Sequence, residues 1–169
     1  MGVKPPSKLK KTIPAHRATK GIKLRKTKRP INEIIIHCAA TPEGREVSVK
    51  TIDSWHRQRG WSGIGYHYVV HLDGSISRGR PVHKTGAHVR GKNTGTIGIC
   101  YVGGTAAHSV KVPKDTRTPA QKKALYNLTL DLAKMYNVKK VSGHDQYANK
   151  ACPSFSVRND PLGNIPNII

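Results

Sequence analysis

A chain of 169 residues with 30 Lys or Arg against 9 Asp or Glu carries a formal charge of +21, and its length suits one domain around one modest core, leaving no room for a second. No window is apolar enough to span a bilayer, and the N-terminus lacks the apolar stretch of a secretory signal, so residence in the cytoplasm is expected. Three cysteines, an odd number, argue against a disulfide scaffold and agree with a reducing compartment.

Residues 1–30 hold eleven Lys or Arg, four prolines and no acidic residue. With almost no large apolar side chains they cannot offset the entropy of ordering, so they read as a flexible basic arm ahead of a domain over 31–169. That domain has 19 basic against 9 acidic residues, about +10, and its surface favours polyanions. A basic block suits anionic lipid or lipopolysaccharide, nucleic acid, or solubility alone. The arm has no aromatic interleaving for base stacking and no groove-reading motif, so no specific nucleic acid is expected.

Along the domain, the run ending in IIIHC predicts a strand over 32–38. Ser48 caps a helix over 49–59 that Gly60 ends, with Ile52 and Trp55 on one face. Strands follow over 66–71 and 75–79, joined at Asp73-Gly74, a hairpin turn signal. Another strand covers 96–102. Thr118, Pro119 and Gln121 supply an N-cap, a first-turn proline and a capping-box partner to a helix whose Leu125, Leu128, Leu132 and Met135 recur at three and four residues. A short strand over 138–142 leads to His144, and Pro153 stops regular structure after Cys152. This order predicts an α/β domain: one mixed central β-sheet flanked by helices, with a groove on the open face.

His37, His144 and Cys152 are the candidate metal ligands. Two imidazoles and a thiolate fit a catalytic zinc site, which spends three protein ligands and leaves a fourth position for water. Singly, each is more often a core residue. Cys38 and Cys100 read as core thiols, since successive strand residues point to opposite faces and 37 and 38 cannot both reach one metal. By the same rule His67 lies opposite Tyr66, as a core residue or a support to the site. His71, His83 and His108 read as surface or loop histidines, and Trp55 as core.

The segments IIIHCAAT (34–41), WHRQRGW (55–61), GYHYVVHLDGSISRGR (65–80), GAHVRGKNTGTIGICYVGG (86–104), TPAQ (118–121) and GHDQYANKACPSF (143–155) resemble, in order, the zinc-dependent N-acetylmuramoyl-L-alanine amidases of the bacteriophage lysozyme type. These belong to one superfamily with the peptidoglycan recognition proteins. The resemblance implies one Zn2+ per chain on His37, His144 and Cys152, with Tyr66 and Lys150 assisting catalysis. On residue type alone, Tyr66 would be a packing residue and Lys150 a solvated one. His88 and Asn93 fall in the segment resembling the family's substrate-facing loop and are expected to contact the peptide.

The resemblance implies an endolysin, a monomer held in the host cytoplasm until another factor opens the inner membrane. It would then hydrolyse the bond between N-acetylmuramic acid and L-alanine in peptidoglycan. With no wall-binding module and a polybasic arm, the target expected is Gram-negative peptidoglycan, with anionic lipopolysaccharide as a second partner. Two other readings stand beside it. One is a non-catalytic peptidoglycan-binding protein, which the presence of Cys152, Tyr66 and Lys150 disfavours. The other is a basic regulator binding nucleic acid or, as some phage lysozymes do, the phage RNA polymerase.

Overall fold

The computed structural model describes residues 22–169. The strands among these residues are β1 (Glu33–Cys38), β2 (Thr41–Pro42), β3 (Tyr68–Val70), β4 (Ile76–Arg78), β5 (Thr96–Tyr101), β6 (Gly104–Ala106), β7 (Ser109–Pro113) and β8 (Lys140–Gly143). The α-helices among the described residues are α1 (Val49–Gln58) and α2 (Pro119–Tyr136). Short 3-10 turns cover His144–Gln146, Val157–Asn159 and Pro161–Asn167.

The central sheet runs β4-β3-β5-β1-β8. β3, β5, β1 and β8 are parallel and only β4 is antiparallel, closed onto β3 through the expected Asp73-Gly74 turn. All six residues of β1 and of β5 are buried, as continuous apolar runs in a covered parallel sheet should be. β2, β6 and β7 form a separate small sheet that the sequence pattern does not reveal, because β2 and β6, of two and three residues, are too short to show periodicity and β7 buries no face of its own.

Alternation along the strands sorts the two faces. Ile34, Ile36 and Cys38 of β1, Ile97, Ile99 and Tyr101 of β5, and Tyr68 and Val70 of β3 pack with Leu125, Leu128 and Leu132 of α2 in the main core. The opposite face is thinner: Val69 joins Ile52 of α1, Val47, Ile64 and Val102, with Trp55 against them. There β1 and β5 present Glu33, His37, Thr96, Gly98 and Cys100, so the polar residues share a face with the smaller core.

Both helices start as expected. Thr51 N–H donates to the Ser48 hydroxyl at the head of α1, and Gly60, at φ +90, follows its last turn. In α2, Gln121 N–H donates to Thr118 Oγ1 while Gln121 Oε1 accepts from Thr118 N–H, a closed capping box. Gln121 does more than cap. It is fully buried, and its Nε2 donates to the carbonyls of Val102 at 2.9 Å and Val70 at 3.3 Å, tying the helix start to β3 and the end of β5.

Residues 1–21, most of the expected arm, lie outside the described residues. Residues 22–30 lie against the domain: Ile22 and Leu24 pack on the main core, and Thr27 N–H donates to Tyr136 Oη at 3.0 Å. Arg29 donates to the carbonyls of Val82 and Thr96, each at 3.0 Å. Among the described residues, no helix is long and apolar enough to cross a membrane.

Gln121→Leu is expected to leave the buried Val102 carbonyl without its side-chain donor, while the Val70 carbonyl keeps the Val102 N–H at 3.0 Å, at a cost of about 1–3 kcal/mol. A lower denaturation midpoint with an unchanged m-value would register it; an unchanged midpoint would show that these bonds contribute nothing net.

Candidate metal centre

His37 stands one residue before the end of β1, and His144 directly follows the end of β8. Because β1 pairs in parallel with β8, with Ile36 opposite Gly143, the two histidines emerge at the same carboxyl edge. Their ring centroids are 4.8 Å apart. Cys152 arrives on the loop after the 144–146 turn, and its Sγ lies 3.8 Å from His37 Nδ1. The ligand atoms of the three residues all fall within 4.8 Å of one another.

That donor set fits zinc. Zn–N and Zn–S bonds of about 2.1 and 2.3 Å at a tetrahedral angle give an N···S edge of about 3.6 Å, close to the 3.8 Å between His37 and Cys152. His37 is fully buried while His144 and Cys152 are partly exposed, so the group is anchored at its base and open above.

Each donor is held from behind. The Cys38 backbone N–H donates to Cys152 Sγ at 3.2 Å, a contact that favours thiolate. Beyond Cys152, whose peptide bond to Pro153 is cis, Tyr101 Oη donates to Pro153 O at 2.7 Å and Ser154 Oγ to Gly104 O at 2.8 Å. The Arg117 guanidinium lies 3.4 Å from the Phe155 ring centroid while pairing with Asp115 and Asp160. On the other side, Ser142 Oγ and Tyr147 Oη each donate to Glu33 Oε2 at 2.5 Å. These bonds pin both flanks of His144.

Electrostatics set the protonation states. Burial, then neighbouring His88 and His144, hold His37 well below the usual histidine range. His144 is lowered by burial and by the charge of Lys150. The Cys152 thiol is pushed up by the adjacent Cys38 thiol and by burial. A divalent cation would reverse that last effect, since a coordinating thiol deprotonates outright.

Tyr66 precedes β3, and its ring centroid lies 5.0 Å from that of His37 and 5.3 Å from that of His56. Burial raises its hydroxyl well above the ordinary tyrosine value, so it remains a proton donor at neutral pH. Lys150 is exposed at the rim. His67 turns to the other side, its Nδ1 accepting from Gly98 N–H at 3.1 Å and its Nε2 donating to Lys84 O at 2.8 Å.

His88 and Asn93, expected to contact the peptide, both have partners within the fold. The His88 ring is buried, with Nδ1 2.8 Å from His37 Nε2 and Nε2 3.1 Å from Thr96 Oγ1. Asn93 Oδ1 accepts from the backbone N–H groups of His88 and Val89 at 2.8 and 2.9 Å, bracing the loop from within. Sequence reasoning also passed over His56, whose Nδ1 accepts from Gly65 N–H at 2.8 Å, and Thr96. The eight-residue step from His88 to Thr96 carries no local signal, because a loop and a strand start meet only in the fold.

The family model described as N-acetylmuramoyl-L-alanine amidase matches residues 27–155. The endolysin of Klebsiella phage KP32 is 38% identical over 137 residues, 80% of this chain and 89% of that one. Among solved structures, the N-acetylmuramoyl-L-alanine amidase LysC from Clostridium intestinale is 30% identical with a TM-score of 0.69, covering 83% of this chain and 87% of that one. The ectodomain complex of peptidoglycan recognition proteins LCa and LCx, solved with tracheal cytotoxin, is 26% identical with a TM-score of 0.66, over 83% of this chain and 89% of that one.

Uptake of a divalent cation at pH 7 is expected to release one proton. His37 and His144, held below 6.5, are already neutral and release none, whereas Cys152, held above 9.0, gives up its thiol proton. Apparent affinity should therefore rise about tenfold per pH unit near neutrality. Calorimetry in buffers of different ionisation enthalpy counts the proton, and a count of zero would mean that the thiol takes no part.

Proposed function

The chain belongs to the N-acetylmuramoyl-L-alanine amidase family, and from that premise we propose that it is a phage endolysin whose zinc rests on His37, His144 and Cys152. The observation that carries the reading is the convergence of these three donors at one carboxyl edge of the sheet. The reaction is hydrolysis of the amide joining N-acetylmuramic acid to L-alanine in peptidoglycan.

Amide hydrolysis requires an activated water, stabilisation of the developing oxyanion and a proton for the departing amine. Zinc, when bound, polarises the carbonyl and lowers the pKa of water towards 7. The other tasks fall to the chain. Tyr66 keeps its proton through burial, and its hydroxyl is the donor to the carbonyl oxygen as charge gathers there. Lys150, at the open rim beside His144, brings a cation to the same charge without being buried itself. The half-exposed flank between His144, Cys152 and Lys150 is where the substrate enters. Neither His88 nor Asn93 is needed for peptide contact in this scheme.

Zinc-loaded protein should generate new N-terminal L-alanine from purified peptidoglycan, lose that activity on chelation and regain it with zinc. Cys152→Ala should not regain it. Tyr66→Phe should keep its zinc while kcat falls by about 10²–10³, the loss typical of one oxyanion donor. Retention of full kcat would remove Tyr66 from the mechanism, and an absence of L-alanine ends from sound, zinc-loaded protein that still binds the polymer would leave a peptidoglycan receptor.

The basic N-terminus supports a second element of the proposal, attraction to the anionic lipopolysaccharide of a Gram-negative surface. Removing residues 1–21 keeps the packed 22–30 segment. The truncation should spare hydrolysis of purified peptidoglycan while weakening attack on intact cells from outside. Equal attack by both forms would sink the idea.

A further inference from the structure

His37 is fully buried and His88 is 7% exposed, so their ring nitrogens answer to the protein alone. The chain of contacts begins at Thr96. Its hydroxyl has one proton, and two backbone carbonyls lie within reach, Lys92 O at 2.9 Å and Asn93 O at 3.1 Å. A carbonyl can only accept, so the proton goes there, and Thr96 Oγ1 offers lone pairs to His88 Nε2 at 3.1 Å. His88 Nε2 must then carry the hydrogen of that neutral ring, which leaves Nδ1 bare. His88 Nδ1, 2.8 Å from His37 Nε2, becomes an acceptor and requires the His37 hydrogen on Nε2. The remaining nitrogen, His37 Nδ1, is therefore bare, and it is the one 3.8 Å from Cys152 Sγ.

We propose that His88, oriented by Thr96, is a positioning residue that fixes the His37 tautomer with Nδ1 free for the metal; this rests on reading His37, His144 and Cys152 as the ligands. Surrounding atoms hold the His88 ring in that orientation. A Cβ on Gly98 would come within 2.6 Å of the ring, and one on Gly86 within 2.7 Å, so the ring fills a slot that only glycines leave open. Asn93 Oδ1 holds the backbone at 88 and 89, which keeps the imidazole from sliding along the slot. Without the acceptor at Nδ1, a buried His37 is free to place its hydrogen on either nitrogen, and the fraction with it on Nδ1 cannot ligate.

The test uses the full chain and zinc itself, in competition with a chromophoric chelator. His88→Leu is expected to weaken zinc binding by about 10- to 100-fold, the range for losing such a supporting bond. His88→Asn places an amide oxygen where Nδ1 stood and should stay within a few-fold of wild type. In zinc-free protein, two-bond nitrogen–proton correlations should show His37 protonated on Nε2 in wild type and His88→Asn, and a mixture of tautomers in His88→Leu. Should His88→Leu fail to fold, Thr96→Val, which keeps shape and removes the acceptor at the head of the chain, should give the same mixture with a several-fold loss. Equal zinc affinity and an unchanged His37 tautomer in His88→Leu would overturn the proposal. So would equal losses in His88→Leu and His88→Asn, which would reduce the ring to a space filler. Wild-type protein that takes up no zinc would instead overturn the ligand reading, and the proposal with it.

Discussion

The site depends on β1 having parallel neighbours on both sides. One neighbour, β8, ends where β1 ends and delivers His144 beside His37. The other, β5, sets Cys100 opposite His37, Gly98 opposite Ile35 and Thr96 opposite Glu33. Parallel strands send all their carboxyl ends to one edge, which is why ligands in open α/β sheets gather there. A shift of one residue in either pairing would turn His37 into the α2 core or carry it away from His144, since strand side chains alternate faces. The alternation of Ile34, Ile36 and Cys38 in the α2 core with Glu33 and His37 on the other face is what fixes that register energetically.

From this constraint follows a division of labour between the two faces of the sheet. The α2 face carries the larger apolar core and, through the buried Gln121 amide, joins the helix start to the ends of β3 and β5. The opposite face gives up apolar packing for Glu33, Thr96, Ser142 and a glycine, and each polar group there finds a partner. Glu33 accepts from Ser142 and Tyr147, and Thr96 stands between His88 and two carbonyls. Buried polar networks are costly when half satisfied and rigid when complete. Here completeness lets three soft, separately anchored donors point at one position before any cation arrives.

Much of this was legible in the sequence, and the boundary between what was and was not is physical. β1, β5 and both helices carry their own signals: an unbroken apolar run, a Ser48 cap, a Thr118–Gln121 capping box, leucines at helical spacing. The Asp73-Gly74 turn announces its hairpin by its own chemistry. The expected α/β architecture with a mixed sheet is the one found, and His37, His144 and Cys152 converge as the family resemblance implied. The small β2-β6-β7 sheet was invisible because β2 meets β6 only across about 60 residues of chain, and the local β6-β7 pair has an irregular register and an exposed second strand. The internal partners of His88 and Asn93 were not legible for a related reason. Loop residues of polar type look like substrate contacts until the fold shows one ring buried under Gly98 and one amide bound to its own backbone.

The gradient of exposure across the centre ties these observations to chemistry. At the base, His37 sees no solvent, so its hydrogen bonds are fixed by the protein and cost nothing to rearrange during a reaction. Above it, Cys152 and His144 are partly open, and Lys150 at the rim is exposed. A ligand set buried throughout would exclude the glycan, and one exposed throughout would let water compete for every donor and screen every charge. Placing the tautomer-setting contacts underneath and the cation above puts rigidity where orientation matters and access where the polymer must enter. In the proposed mechanism the same ordering assigns donation to Tyr66, partly buried beside His37 with its proton retained, and only assistance to Lys150, surrounded by water.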